Sequence, residues 1–359
     1  MVGWGVRALT VVPGTGGSLA LTEEAEPEAG GGDLLVDGLA VGVCGTDREI
    51  AAGDYGWPPP GRERLVIGHE SLGRVREAPA GSGFAAGDLV AGVVRRPDPV
   101  PCGACGRGEF DMCRNGRYTE RGIKSLDGYA SERWRVEPDY AVKLDPRLGE
   151  AGVLMEPTSV VAKAWTQIAR VGERSWFEPQ SVLVTGAGPI GLLAALLGAQ
   201  RGLDVHVLDI ATDGPKPQLV SDLGATYHCT GFDGVLDHLR PDIVIEATGV
   251  GEVVFRAMAG TAAYGIVCLT GVSPVGRTLD VDAGSINREI VLENDVVIGS
   301  VNANLSHYAQ AAEALARADL GWLCRLISRR VPLERWQDAF VAAPHDVKTV
   351  VTLGSPEPD

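Results

Sequence analysis

Basic residues are in short supply in this chain: 32 lysines and arginines stand against 47 acidic residues, a formal net charge of −15 over 359 residues. Binding of nucleic acid depends on basic patches that neutralise phosphates; none occurs, so that class of partner is excluded and the acidic surface serves solubility. Long apolar runs are missing too. The longest helical one, residues 190–199, is too short to span a bilayer. Residues 1–17 lack the basic start and unbroken apolar core of a signal peptide, and Pro13 interrupts them. A cytoplasmic protein with no membrane partner is the expectation. Tandem repeats and low-complexity tracts are absent as well. The seven cysteines are odd in number and partly clustered, which in such a chain favours metal over disulfides. Cys229, Cys268 and Cys324 lie in apolar surroundings and read as packing residues.

What is present begins with composition: 45% hydrophobic and 22% charged residues are ordinary for a globular protein, and the length allows two cores. The most informative stretch is 181–209. An apolar strand-like run passes through Gly186, Gly188, Pro189, Ile190 and Gly191 into a helical pattern, and a second apolar run ends on Asp209, 18 positions after the last glycine. That is the layout of a dinucleotide-binding unit: a tight turn, a backbone that can approach a pyrophosphate, and N–H groups at a helix start facing the anion. The bland alternative is a βαβ unit that binds nothing. Asp209 can accept hydrogen bonds from ribose hydroxyls and repels a 2′-phosphate, and residues 210–213 contain no arginine, so NAD is preferred over NADP. Lys216 is the one nearby cation that softens this choice.

Residues 1–155 are short apolar runs broken by Gly, Pro and Asp, an irregular β domain with strand candidates at 33–41, 65–67 and 89–94. From about residue 151 to about 300, helices alternate with apolar strands, as in a doubly wound parallel sheet. Strands at 242–247 and 264–270 end at Thr248 and at Gly271-Val272, which places these residues at the cofactor edge of the sheet. A late strand at 296–301 leads into Asn302. The tail carries helical runs at 307–317 and 333–343 and a strand at 349–353, and can complete the first domain.

Two sets of residues suit metals. Cys44, His69, Glu70 and Glu156 are dispersed, and thiolate, imidazole and carboxylate together suit a zinc that keeps one position open. Singly, each is more often a packed or hydrogen-bonded residue. Cys102, Cys105 and Cys113 are local, in Cys-x2-Cys-x7-Cys spacing, which predicts a structural zinc with Asp98 as the fourth ligand; the alternative is a three-cysteine relic without metal.

Taken in order, Cys44-Gly45-Thr46-Asp47, Gly68-His69-Glu70 followed by Gly73, the cysteine lobe and the glycine fingerprint resemble the zinc-dependent medium-chain dehydrogenase/reductase superfamily over nearly the whole chain. Residues 44–50, Arg95-Arg96, Glu120-Arg121-Gly122-Ile123 and Gly299-Ser300-Val301-Asn302 look more narrowly like its glucose 1-dehydrogenase branch. The resemblance implies an α/β protein: a GroES-like β-rich catalytic domain (1–155 and 304–359), an inserted Rossmann domain (156–303), and homodimers or homotetramers. It implies a catalytic zinc on Cys44, His69, Glu70 and Glu156, with Glu156 as fourth ligand or as holder of the zinc-bound water. Thr46 would pass the substrate proton outward; Glu120 and Asn302 would hold sugar hydroxyls, Asn302 also beside the nicotinamide. Departures are Arg48 and Glu49 where a relay histidine often stands, Pro79 in place of Gly or Ala, a missing first lobe cysteine, and apolar Val94 and Leu292 at sugar-facing positions.

The implied activity is oxidation of an aldose, D-glucose foremost, at C1 to the lactone with reduction of NAD(P). Two alternatives stay open: a dehydrogenase of another polyol, cyclitol or amino sugar, and a catalytically silent zinc- and dinucleotide-binding protein.

Overall fold

Strands Leu34–Val43 and Lys348–Thr352, from opposite ends of the chain, pair antiparallel with Thr349 opposite Val43 and Thr352 opposite Ala40. This pairing ties the C-terminal segment into the N-terminal part of the protein. The computed structural model describes residues 5–27, 31–343 and 345–354. Residues 1–4, at the head of the stretch that argues against a signal peptide, lie outside it. The chain divides into two compact units, residues 1–159 with 303–359, and residues 160–302.

In the first unit a seven-stranded sheet runs in the order Ala141–Lys143, Leu89–Gly92, Glu70–Glu77, Leu34–Val43, Lys348–Thr352, Ile327–Pro332, with Arg133–Val136 paired to Leu34–Val43 off that path. Two three-stranded sheets accompany it, one of them built from Arg95–Arg96, Thr119–Arg121 and Ser125–Leu126. Leu9, Val41 and Leu65 pack in one core with Val331, Leu333, Val351 and Leu353 of the C-terminal segment. Burial of this apolar surface, at roughly 25 cal/mol per Å2, holds the two chain ends together.

The tail differs from its sequence pattern. The helical run at 333–343 is a 3-10 turn, Leu333–Arg335, and a four-residue helix, Gln337–Phe340. Ile327–Pro332 and Lys348–Thr352 are parallel neighbours, so residues 333–347 form the crossover between them, of which, among the described residues, only these two short pieces are helical. Arg329 closes the short helix by donating to the carbonyls of Asp338 and Val341, each at 2.7 Å. Ile327–Pro332 itself carries no strand signal, because Ser328, Arg329 and Arg330 interrupt its apolar pattern. The strand expected at 89–94 stops at Gly92 in the large sheet, and the chain joins another sheet with Arg95–Arg96.

The second unit holds a six-stranded parallel sheet in the order Thr226–His228, Asp204–Leu208, Ser181–Thr185, Ile243–Glu246, Ile266–Leu269, Val296–Gly299. In chain order this is 3-2-1-4-5-6, the arrangement of dinucleotide-binding folds. Val182, Leu183, Val184, Val244 and Ile245 are fully buried, as strands covered on both faces must be. No helix among the described residues is long and apolar enough to cross a membrane.

Candidate active site

Cys44 follows strand Leu34–Val43 and caps helix Gly45–Ala52 in an extended conformation. Its N–H donates to Oδ2 of Asp47 at 3.0 Å, while its side chain accepts the Asp47 N–H, a reciprocal box that orients the thiol. The second Asp47 oxygen, Oδ1, faces Nδ1 of His69 at 3.5 Å, and neither atom has a hydrogen-bond partner. On the other side of the imidazole, Nε2 lies 3.1 Å from Sγ of Cys44. Cys44, Asp47 and His69 therefore form one potential donor cluster, and His69, Glu70 and Glu156 form a second that shares the histidine.

Glu70 opens strand Glu70–Glu77 opposite Gly42. A Cβ on Gly42 would stand 1.9 Å from Oε2 of Glu70, so glycine is what gives the carboxylate room. Both carboxylate oxygens are taken by Lys348 Nζ, at 2.5 and 2.6 Å, and both side chains are buried. Glu156 lies in the first turn of helix Met155–Gly172. Burial pushes its carboxyl up to about 7; His69 and Lys348 oppose the shift and the Glu70 charge adds to it. Burial also pushes the Cys44 thiol up. For His69 burial acts downward, but Cys44 and Asp47 outweigh it and hold the imidazole well above its ordinary value.

These donors fit zinc. A thiol and a carboxyl shifted by burial toward their protonated forms are the groups a divalent cation returns to anions, and the ligand types match a site with an exchangeable position. Lys348 competes with that cation for Glu70. Thr46 lies half-buried in the first turn of the helix that Cys44 caps.

Glu120 is buried and pairs with Arg95, whose Nε and Nη2 both donate to Oε1 at 3.1 and 2.9 Å. Asn302 belongs to the second unit, one residue beyond Val301, whose carbonyl accepts from the buried Lys163 at 2.8 Å. Asn302 itself has φ 66°, the left-handed region, which asparagine tolerates better than most residues.

In the second unit Gly186 turns with φ 91°, and Gly188 caps helix Pro189–Ala199, where Pro189 and Ile190 form the first turn. A Cβ on Gly191 would lie 1.7 Å from the Gly186 carbonyl oxygen, so helix and strand can approach only with glycine there. Asp209 accepts the Ala187 and Ala211 N–H groups at 2.6 and 2.9 Å and is also paired with Lys216 at 3.1 Å. Burial acts to raise its carboxyl, but these donors prevail and hold it below the ordinary range. Thr248 is held through N–H and hydroxyl by Glu246 at the end of its strand, and Gly271 and Val272 follow the end of the next, with Val272 exposed.

The thiols of Cys102, Cys105 and Cys113 cluster among the turns Cys105–Arg107 and Phe110–Met112. The N–H groups of Arg114 and Cys105 pull the Cys102 thiol down to about 6, as suits a metal-binding thiolate. Asp98 is outside that cluster: its carboxylate accepts from Val100 N at 2.8 Å and from Arg117 Nε at 3.2 Å. The residues that sequence reading passed over are Asp47, Arg95 and Lys348 in their supporting roles. Lys348 had one signal, a lone cation among the β-branched residues Val347, Thr349, Val350 and Val351.

This zinc-ready β-rich unit and its 3-2-1-4-5-6 companion define a zinc-dependent medium-chain dehydrogenase/reductase. Residues 30–146 match the alcohol dehydrogenase GroES-like domain, and residues 149–353 match the glucose dehydrogenase C-terminus. The chain belongs to the glucose dehydrogenase family. It is 38% identical to glucose 1-dehydrogenase of Methanocella arvoryzae over 98% of this chain and 100% of that one. With the Thermoproteus tenax glucose 1-dehydrogenase it shares 39% identity over 97% and 99%. A glucose dehydrogenase from Haloferax mediterranei, solved with NADP, Zn and gluconolactone, superposes with a TM-score of 0.88 at 32% identity, covering 97% and 99%.

Proposed function

We propose that this protein oxidises an aldose, D-glucose foremost, at C1 to the lactone, with one nicotinamide reduced and one proton released per turnover. The supporting observation is that His69 joins two adjoining donor groups, one with Cys44 and Asp47 and one with Glu70 and Glu156, in a chain whose relatives are glucose 1-dehydrogenases. Cys44, His69 and Glu70, with Glu156 as fourth ligand or as holder of the zinc-bound water, would hold a zinc that would supply Lewis acidity toward the C1 hydroxyl, and a bound nicotinamide would supply the hydride acceptor.

The chain supplies position and a route for the proton. Asp47 faces the far side of the His69 ring and sets its orientation, as carboxylates behind ligating histidines do. Lys348 balances the Glu70 charge, so the site does not carry two uncompensated carboxylates. Thr46 takes the C1 hydroxyl proton at Oγ1 and passes it outward. Glu120 accepts hydrogen bonds from sugar hydroxyls, and Asn302 contacts sugar and nicotinamide; such pairing rejects analogues that lack the hydroxyl. The structural zinc is proposed on Cys102, Cys105 and Cys113, with Asp98 as fourth ligand once it leaves Arg117.

NAD is the proposed cofactor in preference to NADP, on the strength of Asp209. The Lys216 pairing moderates that preference, and the Haloferax mediterranei enzyme was solved with NADP. The sheet edge Val296–Gly299 is the proposed seam of a homodimer or homotetramer, and the cytoplasm the proposed compartment.

Initial rates of NADH and NADPH formation with D-glucose, D-galactose, D-xylose, myo-inositol and ethanol, before and after zinc chelation, test the reading. Zinc-dependent reduction of NAD by glucose supports it. Activity confined to the cyclitol replaces the substrate, and no activity on any of the five overturns the enzymatic reading.

A further inference from the structure

We propose that Arg95 is a positioning residue for Glu120, and that through Arg95 the three-cysteine lobe becomes part of the apparatus that reads the sugar. The proposal rests on the reading that Glu120 holds a sugar hydroxyl. Arg95 and Glu120 stand directly opposite each other on two very short strands, Arg95–Arg96 and Thr119–Arg121. Backbone pairing over two residues gives little rigidity, so the side chains must supply it. Both are buried, at 7% and 5% exposure.

The guanidinium is held on three sides. Nε and Nη2 donate to a single Glu120 oxygen, Oε1, so the clamp grips the carboxylate by one corner. Its Cζ lies over the Tyr118 ring, 3.7 Å from the ring centre. Nη1 donates to the main-chain carbonyl of Asp111 at 2.9 Å. Asp111 sits in the turn Phe110–Met112, which Cys113 closes through its N–H to the Phe110 carbonyl. From the opposite direction Asn304 Nδ2 donates to Asp111 Oδ1 at 2.7 Å, and Asn304 caps the helix Leu305–Arg317. Asp111 is thus anchored in the lobe and to that helix, and it offers Arg95 a fixed acceptor. A hydroxyl-reading carboxylate has to be held within about 0.5 Å to discriminate, and this chain of contacts is what can hold it.

The test uses the full-length zinc-loaded enzyme and compares Arg95→Met, Arg95→Lys, Glu120→Gln, the Arg95→Met/Glu120→Gln double variant and Cys113→Ser. KM and kcat for D-glucose are measured, with glucose binding by calorimetry and NADH binding by fluorescence. Arg95→Met is expected to raise glucose KM and Kd at least tenfold while NADH Kd stays within twofold, and Arg95→Lys to recover part of the loss. The double variant is expected to be no worse than Glu120→Gln, because Arg95 acts through Glu120. Cys113→Ser is expected to raise glucose KM with NADH Kd again within twofold. Wild-type glucose KM in Arg95→Met, or losses in the double variant that multiply, overturn the proposal while leaving the Glu120 reading intact. Wild-type KM in Glu120→Gln overturns both. If Arg95→Met does not fold, Arg95→Lys and Cys113→Ser decide: wild-type KM in both overturns it.

Discussion

Lys348 Nζ lies 2.5 Å from Oε2 and 2.6 Å from Oε1 of Glu70, and the two side chains are 2% and 3% exposed. A buried pair of this kind is costly to break from one side, because the remaining charge has neither water nor partner. Lys348→Met is expected to destabilise the zinc-free protein by about 3–5 kcal/mol. Lys348→Met/Glu70→Gln should recover much of that loss, as equilibrium urea unfolding would show. If the single variant were as stable as the parent, the pair would carry no net structural weight.

Gly42 leaves the space that Glu70 occupies. Gly42→Ala would place a Cβ 1.9 Å from Oε2, against a strand partner that cannot move away easily. Displaced from Lys348, the carboxylate is expected to disorder the donor cluster. Chelator competition on the variant should then find zinc affinity reduced about 10–100-fold, the range by which altered ligand support weakens metal sites. Parental zinc affinity in that variant would show that Glu70 can leave its place without consequence.

Asp209 pairs with Lys216 at 3.1 Å, and on the proposed reading this pair governs the adenosine end of the cofactor site. Removing the carboxylate with Asp209→Ser takes away the repulsion toward a 2′-phosphate and leaves Lys216 without its partner. The ratio of kcat/KM for NADP to that for NAD is expected to rise about tenfold, which corresponds to ~1.4 kcal/mol. Lys216→Met should shift the ratio the other way. A ratio that fails to move in either variant would relocate cofactor choice away from this pair.

Acid sensitivity has a definite contributor in Glu137. Burial acts to raise its carboxyl, but Arg96 at 2.7 Å outweighs it and brings the value down to about 2 from an ordinary 4.5. Because the folded value is the lower one, the stabilisation is complete above about pH 4.5 and is lost as pH falls toward about 2. With Glu137 partly exposed, solvent screening reduces the effect to about 1 kcal/mol. Urea midpoints of the parent and Glu137→Gln are expected to differ at pH 6 and to converge near pH 2.5. A constant difference across that range would mean the pair does not titrate on unfolding.

The nucleotide-binding half was the more legible part. Gly186, Gly188, Gly191 and Asp209 are close in sequence, and their spacing is dictated by one local strand-turn-helix, so their arrangement follows from chain geometry alone. The short strands at the chain ends were less so. Ile327–Pro332 hides behind its arginines, and the helical pattern at 333–343 yields to a crossover that its own periodicity does not reveal.

The active-site half shows the same division more sharply. Cys44, His69, Glu70, Glu156 and the lobe cysteines could be picked out by donor type and motif order, because the chemistry of zinc limits which side chains can serve. Their mutual placement could not, since it depends on pairings among distant strands: Glu70 against Gly42, and Lys348 carried in by a strand from the far end of the chain. The same is true of Arg95 reaching Asp111, and of Asp98 turning to Arg117. Local sequence specified the elements and the reactive groups through short-range sterics and ligand chemistry. The partners of each buried charge were settled by long-range packing, because a charge out of water takes whichever opposite charge the assembled core brings within reach.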